Sequence, residues 1–328
     1  MTRRSDMKKS SFFAIAAIAA LALSGCSDSG ATPSSTNTGD ADAPAELTPV
    51  TIGVIPIADT AAVWLGKDKG FFEEEGIDLT IETASGGAAI VPAVVAGDYQ
   101  FGFSNVLSLM VAAENLPLQI VSAAVATTGD TSKDMGAVIT KADSGISDPA
   151  DLAGKTVSSN SIGNINDTTV RDVVDGAGAD SSTIEFVEVP FPEAIAAVEN
   201  DQVDAAFVVE PFVTSAVEAG LNVVTYAYAD FDPKLDIAAY FAKNDVDADL
   251  LEKFQTAMKK SLEFATDNPD EVRRIIGTYT QTPPEVLEKI TLPLFPTEVN
   301  RSALEKLAKA AQDYGVLSKT PDFDALLP

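Results

Sequence analysis

The sequence predicts an α/β protein of two similar lobes, each a βαβ sheet flanked by helices, with a ligand cleft between them. Three observations carry this. Between residues 50 and 227, β-branched apolar runs alternate with helical patterning, which is how βαβ units on a parallel sheet read in sequence. One order of features occurs twice, in GDYQFGFSNVLSLMVAAENLPLQIVSA (97–123) and NDQVDAAFVVEPFVTSAVEAGLNVVTYA (200–227): an acidic turn, a short apolar strand, a polar residue at its end, a helix and another strand. Their offset of about 104 residues is too long for a solenoid repeat and suits two facing lobes. From residue 247 onward the pattern is helical and amphipathic.

In order, residues 50–55 read as a strand and 61–68 as a helix, with Asp59 or Thr60 as its cap and Gly70 at its stop. Phe71, Phe72, Ile77 and Leu79 return the chain to a strand over 79–83. The turn Ser85-Gly86-Gly87 opens a helix over 88–96, 98–102 leads into a short strand, and Ser104 or Asn105 caps a helix over 106–113. A strand over 118–125 closes the first lobe. Polar residues 127–134 mark a change of lobe.

The second lobe reads as strands 137–140, 155–158, 184–189, 205–209 and 223–227. A short capped helix at 148–154, one ending near 177, and helices 192–198 and 212–219 lie between them. Residues 237–242 cross back. Helices 247–267, 269–280, 283–289 and 301–314 follow, the first carrying a core stripe of Leu250, Leu251, Phe254, Met258, Leu262 and Phe264. The expected division is lobe I at 50–126 plus 237–328 and lobe II at 130–233, with hinges near 125–130 and 228–236.

Ahead of residue 50 the chain reads as an address and a leash. Arg3, Arg4, Lys8 and Lys9 precede an apolar stretch over 12–23, whether the chain is counted from Met1 or Met7. That stretch is shorter than the ~20 residues needed to span a bilayer, so it reads as a signal peptide over 1–25. Leu23-Ser24-Gly25-Cys26 resembles the bacterial lipoprotein box, which implies a lipid on Cys26. Residues 26–49 are rich in Ser, Thr, Asp, Ala, Pro and Gly and read as a flexible tether. About 280 residues remain, enough for two ordinary lobes.

The formal net charge is −27, and losing four cations (Arg3, Arg4, Lys8, Lys9) against one anion (Asp6) takes the mature chain to −30. Such a surface argues against nucleic acid or an anionic bilayer as partner. Cys26 is the single cysteine and there is no histidine. Zinc sites and Cys–His nucleophiles are therefore excluded, and no cofactor is expected. Acid–base chemistry by carboxylates alone stays open.

WLGKDKGFFEEEGIDLTIE resembles the Gly-Phe-Phe-x-x-x-Gly-[Leu/Ile] element of extracytoplasmic solute-binding proteins of ABC importers, in the branch of nitrate, taurine, aliphatic-sulfonate and thiamine-precursor binders. SGGAAIVPAVVAGDYQFGFSN, DLAGKTVSSNS, VPFPEAIAAVENDQVDAAFVVEPF and the lipoprotein box extend the resemblance over nearly the whole mature chain. It implies a type II periplasmic-binding-protein fold with two hinge crossings, and C-terminal helices packed on the first lobe. It also implies a monomer outside the membrane that hands a small solute to a permease and its ATPase. A ligand sensor serving a membrane receptor is the alternative. Related eukaryotic pyrimidine-precursor synthases consume a histidine that this chain lacks.

Ligands of open α/β sheets bind beyond the carboxyl ends of the strands. Loops 56–60, 84–88, 104–105 and 127–130 reach that edge, which nominates Asp59, Thr60, Ser85, Gly86, Gly87, Ala88, Ser104, Asn105 and Thr127. The Gly-Gly turn offers free N–H groups at a helix start and close backbone approach. Ser159, Asn160, Ser161 and Asn164 form the matching polar cluster of the second lobe, and Glu210 ends a strand there. Asp59 and Glu210 are candidates to pair with an amino or ring N–H group, although a helix cap also explains Asp59. Phe212 is a candidate to stack on a flat ligand; Trp64 reads as core, Phe191 as either, and Arg171 as surface.

Overall fold

The computed structural model describes residues 46–327. The expected signal peptide, Cys26 and the tether up to residue 45 lie outside the described residues. The tether ends earlier than expected, because Thr48 and Pro49 already belong to the first strand.

The first lobe runs β1 (Thr48–Val54), α1 (Ala61–Asp68), α2 (Phe71–Glu74), β2 (Ile77–Thr83), α3 (Gly87–Ala96), β3 (Phe101–Asn105), α4 (Val106–Ala113) and β4 (Leu118–Ala126). The second runs β5 (Gly136–Thr140), β6 (Thr156–Ser159), α5 (Ile165–Gly176), β7 (Glu185–Glu188), α6 (Phe191–Glu199), β8 (Ala205–Val209), α7 (Phe212–Glu218), β9 (Asn222–Thr225) and α8 (Ala227–Phe231). β10 (Asp236–Lys243) returns to the first sheet. Then come α9 (Ala248–Asp267), α10 (Pro269–Tyr279), α11 (Pro284–Leu287), α12 (Arg301–Asp313) and α13 (Phe323–Leu326).

Both sheets have five strands, ordered β2-β1-β3-β10-β4 and β7-β6-β8-β5-β9. The repeated stretches therefore fill the same places: β3–α4–β4 in one sheet corresponds to β8–α7–β9 in the other. Neither sheet is purely parallel. β1 is parallel to β2 and β3, but β10 runs antiparallel to β3 and β4. In the second sheet β5 is likewise antiparallel to β8 and β9. The reason is the crossing. β4 leaves the first sheet at its carboxyl edge, so β5 enters the second at that edge and must run away from it. β10 does the same on the return.

Two expectations are corrected. The strand expected over 223–227 ends at Thr225, because the Thr225 hydroxyl donates to Asp230 Oδ2 at 2.6 Å and the chain turns into α8. The C-terminal helices do not pack on the first lobe alone. α9 and α10 lie on α1, whereas α11 touches α7 and α12 touches α5 of the second lobe. In the α9 stripe Phe254, Met258 and Leu262 are buried, while Leu250, Leu251 and Phe264 are half-buried. Phe254 stacks on Phe101 of β3, ring centroids 3.7 Å apart and 9° from parallel. No helix among the described residues is long and apolar enough to cross a membrane.

Candidate functional site

A polar-mouthed cavity lies where the carboxyl edges of the two sheets meet, the place strand order favours for a ligand. Ile55, Ile57, Asp59, Phe103 and Asn105 line it from the first lobe, and Asn160, Asn166, Phe191, Val209 and Tyr228 from the second. Ile237 and Ala238 of the crossing strand complete it. Its volume is about 20 Å³, the room of roughly one water molecule. The lobes leave little free volume between them at this point.

The Gly-Gly turn meets the second-lobe polar loop beside this crevice, although residues 85–88 do not line it. A Cβ placed on Gly86 would lie 3.4 Å from Asn160 Nδ2 and 3.6 Å from Ser161 Oγ. At Gly87 it would lie 1.9 Å from Ser104 Oγ, so only glycine lets the first turn of α3 settle on the end of β3. Ser85 and Ala88 are exposed at the rim. Ser104 is buried beneath the turn, with no partner for its hydroxyl. Asn105 caps α4, its Oδ1 accepting from Ser108 N at 2.9 Å, and also faces the cavity.

Across the cleft the amides form a net. Asn166 Nδ2 donates to Asn160 Oδ1 at 3.0 Å and to Ser159 Oγ at 3.1 Å. Asn164 Nδ2 donates to Asn160 Oδ1 at 3.1 Å, and the Tyr228 hydroxyl to Asn166 Oδ1 at 2.5 Å. Asn164 and Asp167 form a capping box at the start of α5. Asn160 and Asn166 thus face the cavity, with Ser159 and Asn164 holding them.

Other nominated residues serve the frame. Thr60 caps nothing; its hydroxyl donates to the carbonyls of Ile55 and Ile57, and neither it nor Asp59 caps α1 by side chain. Thr127 donates to Asp134 Oδ2 at 2.5 Å. Phe212 stands behind the lining Phe191, ring centroids 6.3 Å apart. Trp64 stacks on Tyr279 at 4.7 Å, and Arg171 donates to the Ser181 carbonyl at 2.7 Å. Glu210 is turned away from the cavity: Thr214 Oγ1 (2.8 Å), Thr214 N (3.1 Å) and Thr291 N (3.0 Å) all donate to its carboxylate.

Asn166, Tyr228, Phe103, Ile55, Ile57 and Val209 escaped the sequence reading. Asn166 ends the polar run that begins at Ser159, so its signal was present. Tyr228 stood inside an expected hinge, and the apolar four read as core.

Asp59 dominates the electrostatics. It is 2% exposed, and its Oδ1 has no hydrogen-bond partner. Burial, with the nearby charges of Asp134 and Glu210, pushes its carboxyl up to about 7. Burial also lifts Glu210 to about 6 despite its three donors. No basic side chain lines the cavity. The site can hold a proton, or replace it with a cationic or N–H group.

This arrangement tilts stability toward acid. The unfolded chain releases the Asp59 proton near 3.8 and the folded chain near 7, so between these values the folded state holds more protons. Stability then falls as pH rises through this window. The gap amounts to roughly 4 kcal/mol at ~1.4 kcal/mol per unit. Glu210 and Asp236, each raised to about 6, act in the same direction. Ligand-stripped protein should therefore resist urea better at pH 5 than at pH 8. Asp59→Asn should remove much of that difference by raising the pH 8 value.

The family described as NMT1/THI5 like matches residues 57–272. A formylaminopyrimidine-binding protein of Halalkalibacterium halodurans is 24% identical over 250 residues, covering 74% of this chain and 73% of that protein. The periplasmic nitrate-binding protein NrtA of Synechocystis superposes with a TM-score of 0.73 at 13% identity, covering 86% of both chains. The alkanesulfonate-binding protein SsuA of Xanthomonas axonopodis, bound to MOPS, gives 0.69 at 15%, covering 87% of this chain and 99% of that one. The chain belongs to the NMT1/THI5-like family and has the two-lobed fold of the periplasmic binding proteins of ABC importers.

Proposed function

We propose that this protein is the solute-capturing component of an ABC importer, and that its solute is a small organic molecule presenting an amine or ring N–H. The observation that carries the solute class is the buried Asp59 carboxyl, its Oδ1 without a hydrogen-bond partner, in an interlobe cavity lined by no basic side chain. A bare oxyanion would meet the Asp59 carboxyl there, with Asp134 and Glu210 behind it close enough to raise Asp59. A nitrogen donor would meet an acceptor in Asp59, amides in Asn105, Asn160 and Asn166, and the flat faces of Phe103, Phe191 and Tyr228. Similarity to a formylaminopyrimidine-binding protein supports the same reading.

The protein is a binder rather than a catalyst, working as an extracytoplasmic monomer. Cys26 carries a lipid that keeps it at the membrane beside a permease and its ATPase. The solute bridges the lobes and shifts the population toward closure, and the closed face docks on the permease. The test is a thermal-shift panel on ligand-stripped protein: nitrate, ethanesulfonate, taurine, 4-aminopyrimidine and simple alkylamines. Saturation at a hundredfold excess over Kd adds ~2.7 kcal/mol. Stabilisation by the aminopyrimidine or amines is the expected result. Response to nitrate or ethanesulfonate alone would overturn the solute class and leave the transport reading standing.

A further inference from the structure

Glu210 follows β8 of the second lobe and grips two points, the first-lobe loop before α1 and the segment after α11. Its main-chain carbonyl accepts from Ala58 N at 3.0 Å, one residue before Asp59. Its carboxylate accepts from Thr291 N at 3.0 Å, in the segment after α11. That segment is tied to the end of β4, since Ala126 N donates to the Leu294 carbonyl at 3.0 Å and Leu294 N to the Ala126 carbonyl at 3.1 Å. Thr214 supplies the carboxylate's remaining donors from α7, so the side chain is held in one direction before the lobes meet. On the same seam Lys289 pairs with Glu218 at 2.6 Å, but both side chains are substantially exposed and add little.

We propose that Glu210 is the closure latch of this protein: a positioning residue that draws the Asp59 loop and the 291–294 segment onto the second lobe without touching the solute. Parting the lobes strips Thr291 N–H of a charged acceptor and Ala58 N–H of its carbonyl. Glu210 is 1% exposed, and each of its carboxylate oxygens already has a protein donor. Closure and recognition are thereby joined over a single residue step. The same link that shuts the cleft aims Asp59 into it. The role holds whatever solute the cleft takes.

The experiment uses ligand-free protein, so its outcome is independent of the solute class. Glu210→Ala removes the carboxylate, and Glu210→Gln keeps the shape without the charge. Thr291→Pro removes the donor, with φ fixed by the ring, in a segment outside the cavity lining. Small-angle scattering should show Glu210→Ala and Thr291→Pro both expanded, with Glu210→Gln in between. Amide exchange at Ala58, whose acceptor is the Glu210 main-chain carbonyl, should quicken about tenfold or more once the charge-assisted bond from Thr291 N–H to the carboxylate is lost. Exchange in the strands of each sheet should stay as in the parent, which separates opening from unfolding. With 4-aminopyrimidine or taurine as probe, the variants should differ from the parent in dissociation rate more than in association rate. If Thr291→Pro and Glu210→Gln both scatter and exchange like the parent, the latch is overturned. It is overturned equally if Glu210→Ala abolishes probe binding while ligand-free dimensions stay unchanged, because Glu210 would then be a ligand contact.

Discussion

Asp59→Asn should weaken binding of a cationic or N–H-bearing solute by about 100-fold at pH 8, and by little at pH 5. At pH 8 the carboxyl is ionised, and removing one partner of a buried hydrogen-bonded charge pair costs ~2–5 kcal/mol. The carboxyl of the unliganded site titrates near 7. Below that value the wild type must release a proton to form the pair, so its affinity should fall ~tenfold per pH unit. Near pH 5 the parent then binds about as weakly as the asparagine variant. Isothermal titration in two buffers of different ionisation enthalpy should find close to one proton released on binding at pH 6 and close to none at pH 8. An oxyanion solute would reverse every sign: binding would tighten in acid, and Asp59→Asn would help at pH 8.

The fold was legible because buried strands and amphipathic helices leave periodic marks, and here the marks recur. α1 and α4 keep their expected bounds, as does β8, whose five residues are all buried. The insertion of β5 and β10 between strands of the opposite direction was not legible. A fully buried run such as Gly136–Thr140 fits a parallel or an antiparallel neighbour equally well. The polar half of the site could be read at strand ends, where Asp59, Asn105 and Asn160 stand. Its apolar half could not, because Ile57 or Val209 at a cleft wall looks like any core residue. That the Glu210 carboxylate accepts from Thr291 N was not legible either, because the two stand 81 positions apart.

Phe254→Ala should cost the ligand-free protein about 3–5 kcal/mol, the usual range for emptying a buried aromatic site. Two rings besides that of Phe101 make the expectation large. Phe254 lies 5.8 Å from Phe72 and 6.3 Å from Tyr240, and Tyr240 lies 5.6 Å from Phe103, which lines the cavity. α9 carries Phe254, and its contacts with α1, α2 and β4 join the C-terminal helices to the first lobe, so the loss falls on the support beneath the site. Urea denaturation should show the midpoint dropping. Solute affinity of the fraction still folded should change by less than about tenfold, because Phe254 does not line the cavity. A Phe254→Leu control should recover a large part of the stability, since it restores apolar volume without the stacked ring. Unchanged stability in Phe254→Ala would mean that α9 is not what seats β3, and the link drawn from the α9 stripe to the site would fail with it.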